Sequence, residues 1–341
     1  MSGRIIAFPK AGNVYTEHLY AEVEKSGVSV IEGIWTSRWL MTNVRRGDLI
    51  HIHWPSVLYI VPMSRLRTAV RLTKMYAKLA LAKLRGATIV WTAHNLYPHE
   101  GGSGLKSHRL GRRIMVSFAD YVCVHGASAA ALVIRELKVA ESRVRIAHHP
   151  HWIDCYPNTL TRAQSRTKLG LPANEFLYLF IGRCRPYKGL ETLIEAFKRV
   201  SQPARLLIAG SFSPPQYLEG IASLAKRTPN VDLVPRSIPD EDMQLYLNAA
   251  DCVVLPYRDV LTSGTALLAL SFGRPVVAPD LGSIRDHVDA QSGELYAADQ
   301  PLGLEGAMQS VRSLTFDSSA IREHARKFTW SSLAGILLDI T

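Results

Sequence analysis

The sequence predicts an α/β protein of two Rossmann-like domains, whose parallel sheets are expected to face one another across a cleft. Three observations predict this. Short apolar runs alternate with longer helical patterns, as expected for strands buried on both faces and joined by crossover helices. The alternation stops over residues 149–174 and then restarts. Polar and cationic residues gather just after the apolar runs, where open α/β sheets bind their ligands.

In the first half, the strand candidates are residues 4–8, 28–33, 48–53, 87–92, 120–125 and 143–148. The second set is 175–182, 204–210, 231–235, 251–256 and 274–279. Between the sets, "HPHWIDCYPNTLTRAQSRTKLGLPAN" has no strand period and is rich in Pro and polar residues, so it reads as a linker followed by a short helix. The expected division is a first Rossmann-like domain over 1–157 and a second over 158–322. Residues 323–341 are expected to form a C-terminal helix packing back toward the first domain.

The chain has 341 residues and a net charge of +11. Residues 1–157 hold 21 Lys and Arg against 10 Asp and Glu, whereas residues 158–341 hold 19 of each. The whole excess lies in the first half, which suggests that this half meets a polyanion or an anionic membrane. Nothing in the pattern calls for nucleic acid. Cys123, Cys155, Cys184 and Cys252 form no C-x-x-C pair and fit no zinc spacing. Free cysteines point to a reducing, cytoplasmic compartment. The N-terminus has no long apolar core of a signal peptide, and no run is long enough to span a membrane.

The densest motif is "IGRCRPYKGL", residues 181–190. An apolar run feeds into Arg183, Arg185 and Lys188, and a helical pattern follows at once. Three cations so close repel one another unless an anion sits between them. Gly182 and Gly189 permit close backbone approach, and the following helix start favours negative charge. A diphosphate fits this set, because Arg binds it bidentately and Lys adds a point charge. Ser263-Gly264-Thr265 precedes "ALLALSF", a second helix start suited to a phosphate. Asp240-Glu241-Asp242 follows Pro239 and reads as helix-start chemistry rather than a metal chelate; no metal is expected.

The first half supplies titratable groups at strand ends. His53 lies in "HIHWPS", His125 in "VHGAS", and His94, Asn95, His99 and Glu100 in "TAHNLYPHE". Histidines and a carboxylate converging there suit general base work on a hydroxyl and contact with a sugar or acceptor. Residues 64–86 carry seven Lys and Arg and no acid, with Leu66, Val70, Leu72, Met75, Leu79, Leu81 and Leu84 threaded between them. Residues 105–116 add further cations. Both segments suit docking on an anionic inner membrane surface.

Two Rossmann-like halves, the G-R-x-x-x-x-K-G turn of residues 182–189 and "SGTALLALSFGRPVVAP" together resemble a GT-B glycosyltransferase over nearly the whole chain. "IHIHWP", "TAHNLYPHE" and "RPYKGLE" are most similar to bacterial enzymes of exopolysaccharide synthesis, the xanthan-type β-mannosyltransferases. The resemblance implies GDP-mannose as donor, no cofactor, and a polyprenyl-diphosphate-linked oligosaccharide as acceptor. It places Arg183 and Lys188, with Arg185, on the donor diphosphate, and Ser263, Gly264 and Thr265 on its phosphates. Pro235, Arg236 and Ser237 match the region of the nucleotide base. The loop from His94 to Glu100 matches the catalytic region.

The sequence departs from the retaining branch of that fold. That branch has a Glu-x7-Glu motif, whose second Glu stands five residues before the Gly of Gly-x-Pro. The corresponding residues here are Val260 and Leu268. Their identity favours inversion, with Glu100 as the first candidate base and His94 as the second. A retaining UDP-hexose transferase, a sugar-nucleotide epimerase and an inactive scaffold subunit remain as alternatives.

Overall fold

The computed structural model describes residues 3–61, 64–97 and 104–341. The described residues form two six-stranded, all-parallel sheets. The first holds β1 (Ile5–Phe8), β2 (Val30–Glu32), β3 (Leu49–Ile52), β4 (Thr88–Thr92), β5 (Tyr121–Val124) and β6 (Val144–Ile146), in the order β2-β1-β3-β4-β5-β6. The second holds β7 (Phe176–Ile181), β8 (Ala204–Ala209), β9 (Val231–Val234), β10 (Cys252–Val254), β11 (Val276–Pro279) and β12 (Gly293–Tyr296), in the order β12-β11-β10-β7-β8-β9. Central strands such as β1, β3 and β10 are buried on both faces. That burial is why their sequences run apolar without alternation.

The sequence reading did not identify β12. It is four residues long, begins at a glycine and is only half buried, as a terminal strand can be. It pairs in parallel with β11, Val276 opposite Gly293. A Cβ at Gly293 would stand 2.1 Å from the Val276 carbonyl oxygen, so only glycine fits.

The chain divides into two compact units, Met1–His149 with Thr329–Thr341, and Pro150–Phe328. Residues 150–157 belong to the second unit because they are fastened to it. The Trp152 backbone N–H donates to Ser271 Oγ at 2.8 Å, and its indole N–H donates to the Gly264 carbonyl at 2.9 Å. The linker's short helix, Arg162–Leu169, starts in a Thr161/Gln164 capping box. Its buried Arg166 bonds Asp251 at 2.6 Å and four backbone carbonyls. The C-terminal helix Trp330–Ile340 belongs to the first unit and packs on helix Val14–Glu24.

Each sheet has a point where the strand order reverses, between β1 and β3 and between β7 and β10. Ligands of open α/β sheets bind in the crevice at such points. The chemistry-bearing residues of each unit lie there.

Candidate functional site

In the second unit, the loops after β7 and β10 flank the switch point. The β7 turn is held by Gly182 N–H to the Ala209 carbonyl, 3.0 Å, and Cys184 N–H to the Ser211 carbonyl, 2.8 Å. Gly182 has φ +127°, and a Cβ there would lie 3.8 Å from Thr265 Oγ1. The Arg183–Lys188 turn and the Ser263–Thr265 helix start are therefore neighbours. Gly189 has φ +70°, and a Cβ on it would stand 2.1 Å from the Pro256 carbonyl oxygen, which fastens the first turn to the β10 loop. The Arg258 N–H completes the join by donating to the Tyr187 carbonyl at 2.9 Å.

Arg183 is exposed, and Arg185 and Lys188 are half-buried. Lys188 Nζ lies 3.5 Å from the Tyr257 ring centroid and 5.2 Å from that of Tyr187. Arg183 and Lys188 have no ion pair among the described residues. The aromatic rings localise the ammonium without neutralising it. Beside them, burial pushes the Cys184 thiol up to about 12, with Lys188 opposing the rise. Cys184 is thus a neutral, packed thiol.

Ser263 is buried and caps helix Gly264–Ser271, its Oγ accepting from the Ala266 N–H at 3.2 Å. That bond uses one acceptor position of the hydroxyl and leaves its O–H proton to donate. Gly264 and Thr265 stand at the half-exposed first turn, where helix N–H groups face outward. Pro235, Arg236 and Ser237 follow β9 and are exposed; Arg236 reaches Tyr246 Oη at 3.5 Å. Asp240–Asp242 form a short 3-10 turn leading into helix Met243–Ala249. Among the described residues, no cluster of His, Cys, Asp or Glu is arranged to hold a metal ion.

In the first unit, His53, His94 and His125 come from the ends of β3, β4 and β5, and the structure gathers them. The His53 and His94 ring centroids are 5.4 Å apart, and those of His94 and His125 are 5.5 Å apart. His94 stacks on Trp54 at 4.8 Å. The Tyr15 ring stands edge-on to His53, His94 and His125. His53 Nδ1 meets His94 Nε2 at 3.1 Å. Burial pushes the His94 imidazole down to about 3, with nearby His149 and His51 adding to the shift. It also holds His53 and His125 well below the usual imidazole range. All three are neutral bases at physiological pH. Asn95 is half-buried beside them. His99 and Glu100, the latter the first candidate base, lie outside the described residues.

Sequence reasoning missed Tyr15, Tyr20 and His51. The tyrosines occupy the buried stripe of helix Val14–Glu24 and read as ordinary core. A signal for His51 was present: residues two apart on a strand share a face, so "HIH" puts His51 beside His53.

Residues 175–312 match the family model described as Glycosyl transferases group 1. The matched stretch lies within the second unit and contains the cationic turn, the helix start and the exposed 235–237 turn. Among curated proteins, the chain is similar to the GDP-mannose:glycolipid 4-beta-D-mannosyltransferase of Xanthomonas campestris pv. campestris, 28% identical over 69% of this chain and 62% of that one. The match thus spans under two thirds of that relative's length. A D-inositol 3-phosphate glycosyltransferase of Catenulispora acidiphila is 26% identical over 76% of this chain and 68% of its own. Among solved structures, Anabaena HepE in complex with UDP superposes with a TM-score of 0.73 at 15% identity, covering 99% of both chains. Sucrose-phosphate synthase from Thermosynechococcus elongatus gives 0.70 at 18%, covering 99% of this chain and 95% of that one. The fold is GT-B. Within the matched residues 175–312, Val260 and Leu268 are buried apolar side chains, 7% and 8% exposed.

Proposed function

We propose that the protein transfers a hexose, mannose from GDP-mannose, with inversion, to a polyprenyl-diphosphate-linked oligosaccharide in exopolysaccharide or glycolipid synthesis. One observation carries this reading. Arg183 and Lys188, without carboxylate partners among the described residues, share a switch point with the first turn of helix Gly264–Ser271. Cations and helix N–H groups aimed at one place form a diphosphate seat. Preorganised charge of this kind stabilises the negative charge that develops on a leaving nucleoside diphosphate.

For inversion, one base takes the acceptor's hydroxyl proton as its oxygen bonds to the anomeric carbon. The bond from that carbon to the diphosphate breaks, and its electron pair leaves with the nucleotide. The buried apolar residues Val260 and Leu268 support this reading, because neither offers a carboxylate to the donor sugar. His94 is a neutral base in the first unit, with Glu100 as the other candidate. The printed name of the Xanthomonas relative supports GDP-mannose and a glycolipid acceptor.

Membrane docking is supported by helices Arg65–Leu84 and Gly104–Phe118. The first buries Thr68, Leu72, Met75, Leu79 and Ala82 on one stripe. That leaves Leu66 77% and Leu84 86% exposed among its cations. Leu110 of the second is 50% exposed and lines a groove of about 580 Å³ with Leu72, Tyr76 and Ile114. Apolar side chains set among cations suit the surface of an anionic bilayer. No helix among the described residues is long and apolar enough to cross a membrane. We place the enzyme at the cytoplasmic side of the inner membrane, as a peripheral protein.

The UDP complex of HepE favours a second donor, a UDP-sugar. Thermal-shift measurements with GDP-, UDP- and dTDP-sugars separate the two, since a ligand of the folded state raises Tm. GDP-mannose is expected to raise it. A rise with UDP-sugars alone overturns the proposed donor.

A further inference from the structure

The histidine cluster continues inward from His94 as a chain of hydrogen bonds. His94 Nε2 meets His53 Nδ1 at 3.1 Å, and His53 Nε2 meets Tyr20 Oη at 2.8 Å. Tyr20 Oη also meets His51 Nδ1 at 2.9 Å, and His51 Nε2 meets Thr92 Oγ1 at 2.8 Å. Tyr20, His51, His53 and Thr92 are all almost fully buried, so water does not compete for these bonds.

Proton counting restricts the chain to two states. A neutral imidazole has one N–H and one lone pair, and a phenol has one O–H. His51 and His53 each use both nitrogens, and Tyr20 bridges them, donating to one and accepting from the other. In the first state, His94 Nε2–H donates to His53, His53 Nε2–H to Tyr20, Tyr20 O–H to His51, and His51 Nε2–H to Thr92. His94 Nδ1 then holds a lone pair. In the second state, every donor and acceptor is exchanged and His94 Nδ1 carries the proton. A mixed arrangement leaves at least one buried donor or acceptor unmatched, which is costly, so the chain switches as a unit. The neighbouring pair is different. His125 Nδ1 faces the Ala147 carbonyl at 3.1 Å, so it carries the proton, and Nε2 accepts from Tyr15 Oη at 3.0 Å.

We propose that Tyr20, His51 and His53 are positioning residues that hold His94 in the Nε2–H tautomer, leaving the Nδ1 lone pair free for the acceptor hydroxyl. No hydrogen bond occupies Nδ1 among the described residues. When the acceptor O–H breaks and an N–H forms at Nδ1, His94 becomes an imidazolium that still donates Nε2–H to His53. The chain therefore accommodates both the free base and its protonated form without rearranging. This inference rests on His94 acting as the base. It adds residues with no expected contact with substrate.

The test is the conservative change Tyr20→Phe in the full chain. It keeps the ring and removes the bridging oxygen. In protein labelled with 15N-histidine, with His94 assigned from the His94→Gln spectrum, the wild type is expected to show a single Nε2–H tautomer at His94. Tyr20→Phe is expected to show a tautomer mixture, with kcat reduced about tenfold and the donor KM unchanged. Thr92→Val, at the far end of the chain, is expected to act in the same direction and serves if Tyr20→Phe does not fold. An unchanged His94 tautomer in a folded Tyr20→Phe or Thr92→Val protein overturns the proposal. The Nδ1–H tautomer in the wild type also overturns it. Wild-type turnover in His94→Gln instead removes the catalytic reading, while the tautomer measurement still decides the coupling.

Discussion

Lys188 is held by packing rather than by a counter-charge. Its ammonium sits 3.5 Å from the Tyr257 ring centroid. A cation placed this way keeps its full charge for a ligand. Arg183→Ala and Lys188→Ala are each expected to lower turnover by about 10²–10³, the loss seen when one preorganised donor is removed from a developing anion. Steady-state kinetics checks this, and a loss under threefold contradicts it. The buried histidines make a separate prediction about stability. Burial holds His51 neutral to about 3 and keeps His53 and His125 well below the usual range. In the unfolded chain, each takes up a proton near 6.5. Between those values the unfolded state binds more protons. Their contribution is therefore complete above about pH 6.5 and is lost as pH falls. The limiting slope is about 1.4 kcal/mol per pH unit for each histidine. Calorimetry at pH 7, 6 and 5 is expected to show Tm falling steadily; an unchanged Tm contradicts their buried, neutral state. At this scale, His53, His94 and His125 could be read from strand ends. Tyr15 and Tyr20 could not, because on a helix a tyrosine's apolar ring reads as core whatever its hydroxyl bonds.

Among the elements, turns and strand ends position the chemistry. Gly189 links the cationic turn to the β10 loop by combining φ +70° with a close approach to the Pro256 carbonyl. Gly189→Ala meets both obstacles. The left-handed backbone alone costs roughly 1–2 kcal/mol, and the added methyl displaces the Pro256 carbonyl. Denaturant unfolding is expected to show a loss of at least about 1 kcal/mol, together with weaker GDP binding. Wild-type stability in that variant contradicts the geometry. The position of the cationic turn was legible because a buried apolar run ends at Gly182 and a helical pattern begins after Gly189. The cap role of Ser263 was legible as well, its hydroxyl oxygen accepting from the Ala266 N–H. The short strand β12 was not, since four half-buried residues opening on glycine carry neither a continuous apolar run nor an alternation.

For the whole molecule, the charge asymmetry and the restarting strand pattern announced two halves. The position of the division was harder to read. Residues 150–157 resemble a free linker in composition, whereas bonds such as those of Trp152 to Ser271 and Gly264 and of the His151 N–H to the Phe328 carbonyl fasten them to the second unit. The cations of the first unit surround exposed Leu66, Leu84 and Leu110, so binding to vesicles containing anionic lipid is expected to exceed binding to neutral vesicles. It is expected to weaken at high salt as screening shortens the electrostatic range. Leu66→Asp with Leu110→Asp is expected to reduce it at least tenfold, and sedimentation with vesicles measures it. Equal binding by the double variant contradicts docking through this face. The central claim is that the second unit holds a nucleoside diphosphate through its phosphates. Titration calorimetry of GDP and guanosine, into the wild type and into Lys188→Ala, tests it most directly. The account predicts that GDP binds the wild type, that guanosine binds at least about a hundredfold more weakly, and that Lys188→Ala removes most of the difference. Equal affinity for GDP and guanosine, or an unchanged difference in Lys188→Ala, would contradict it.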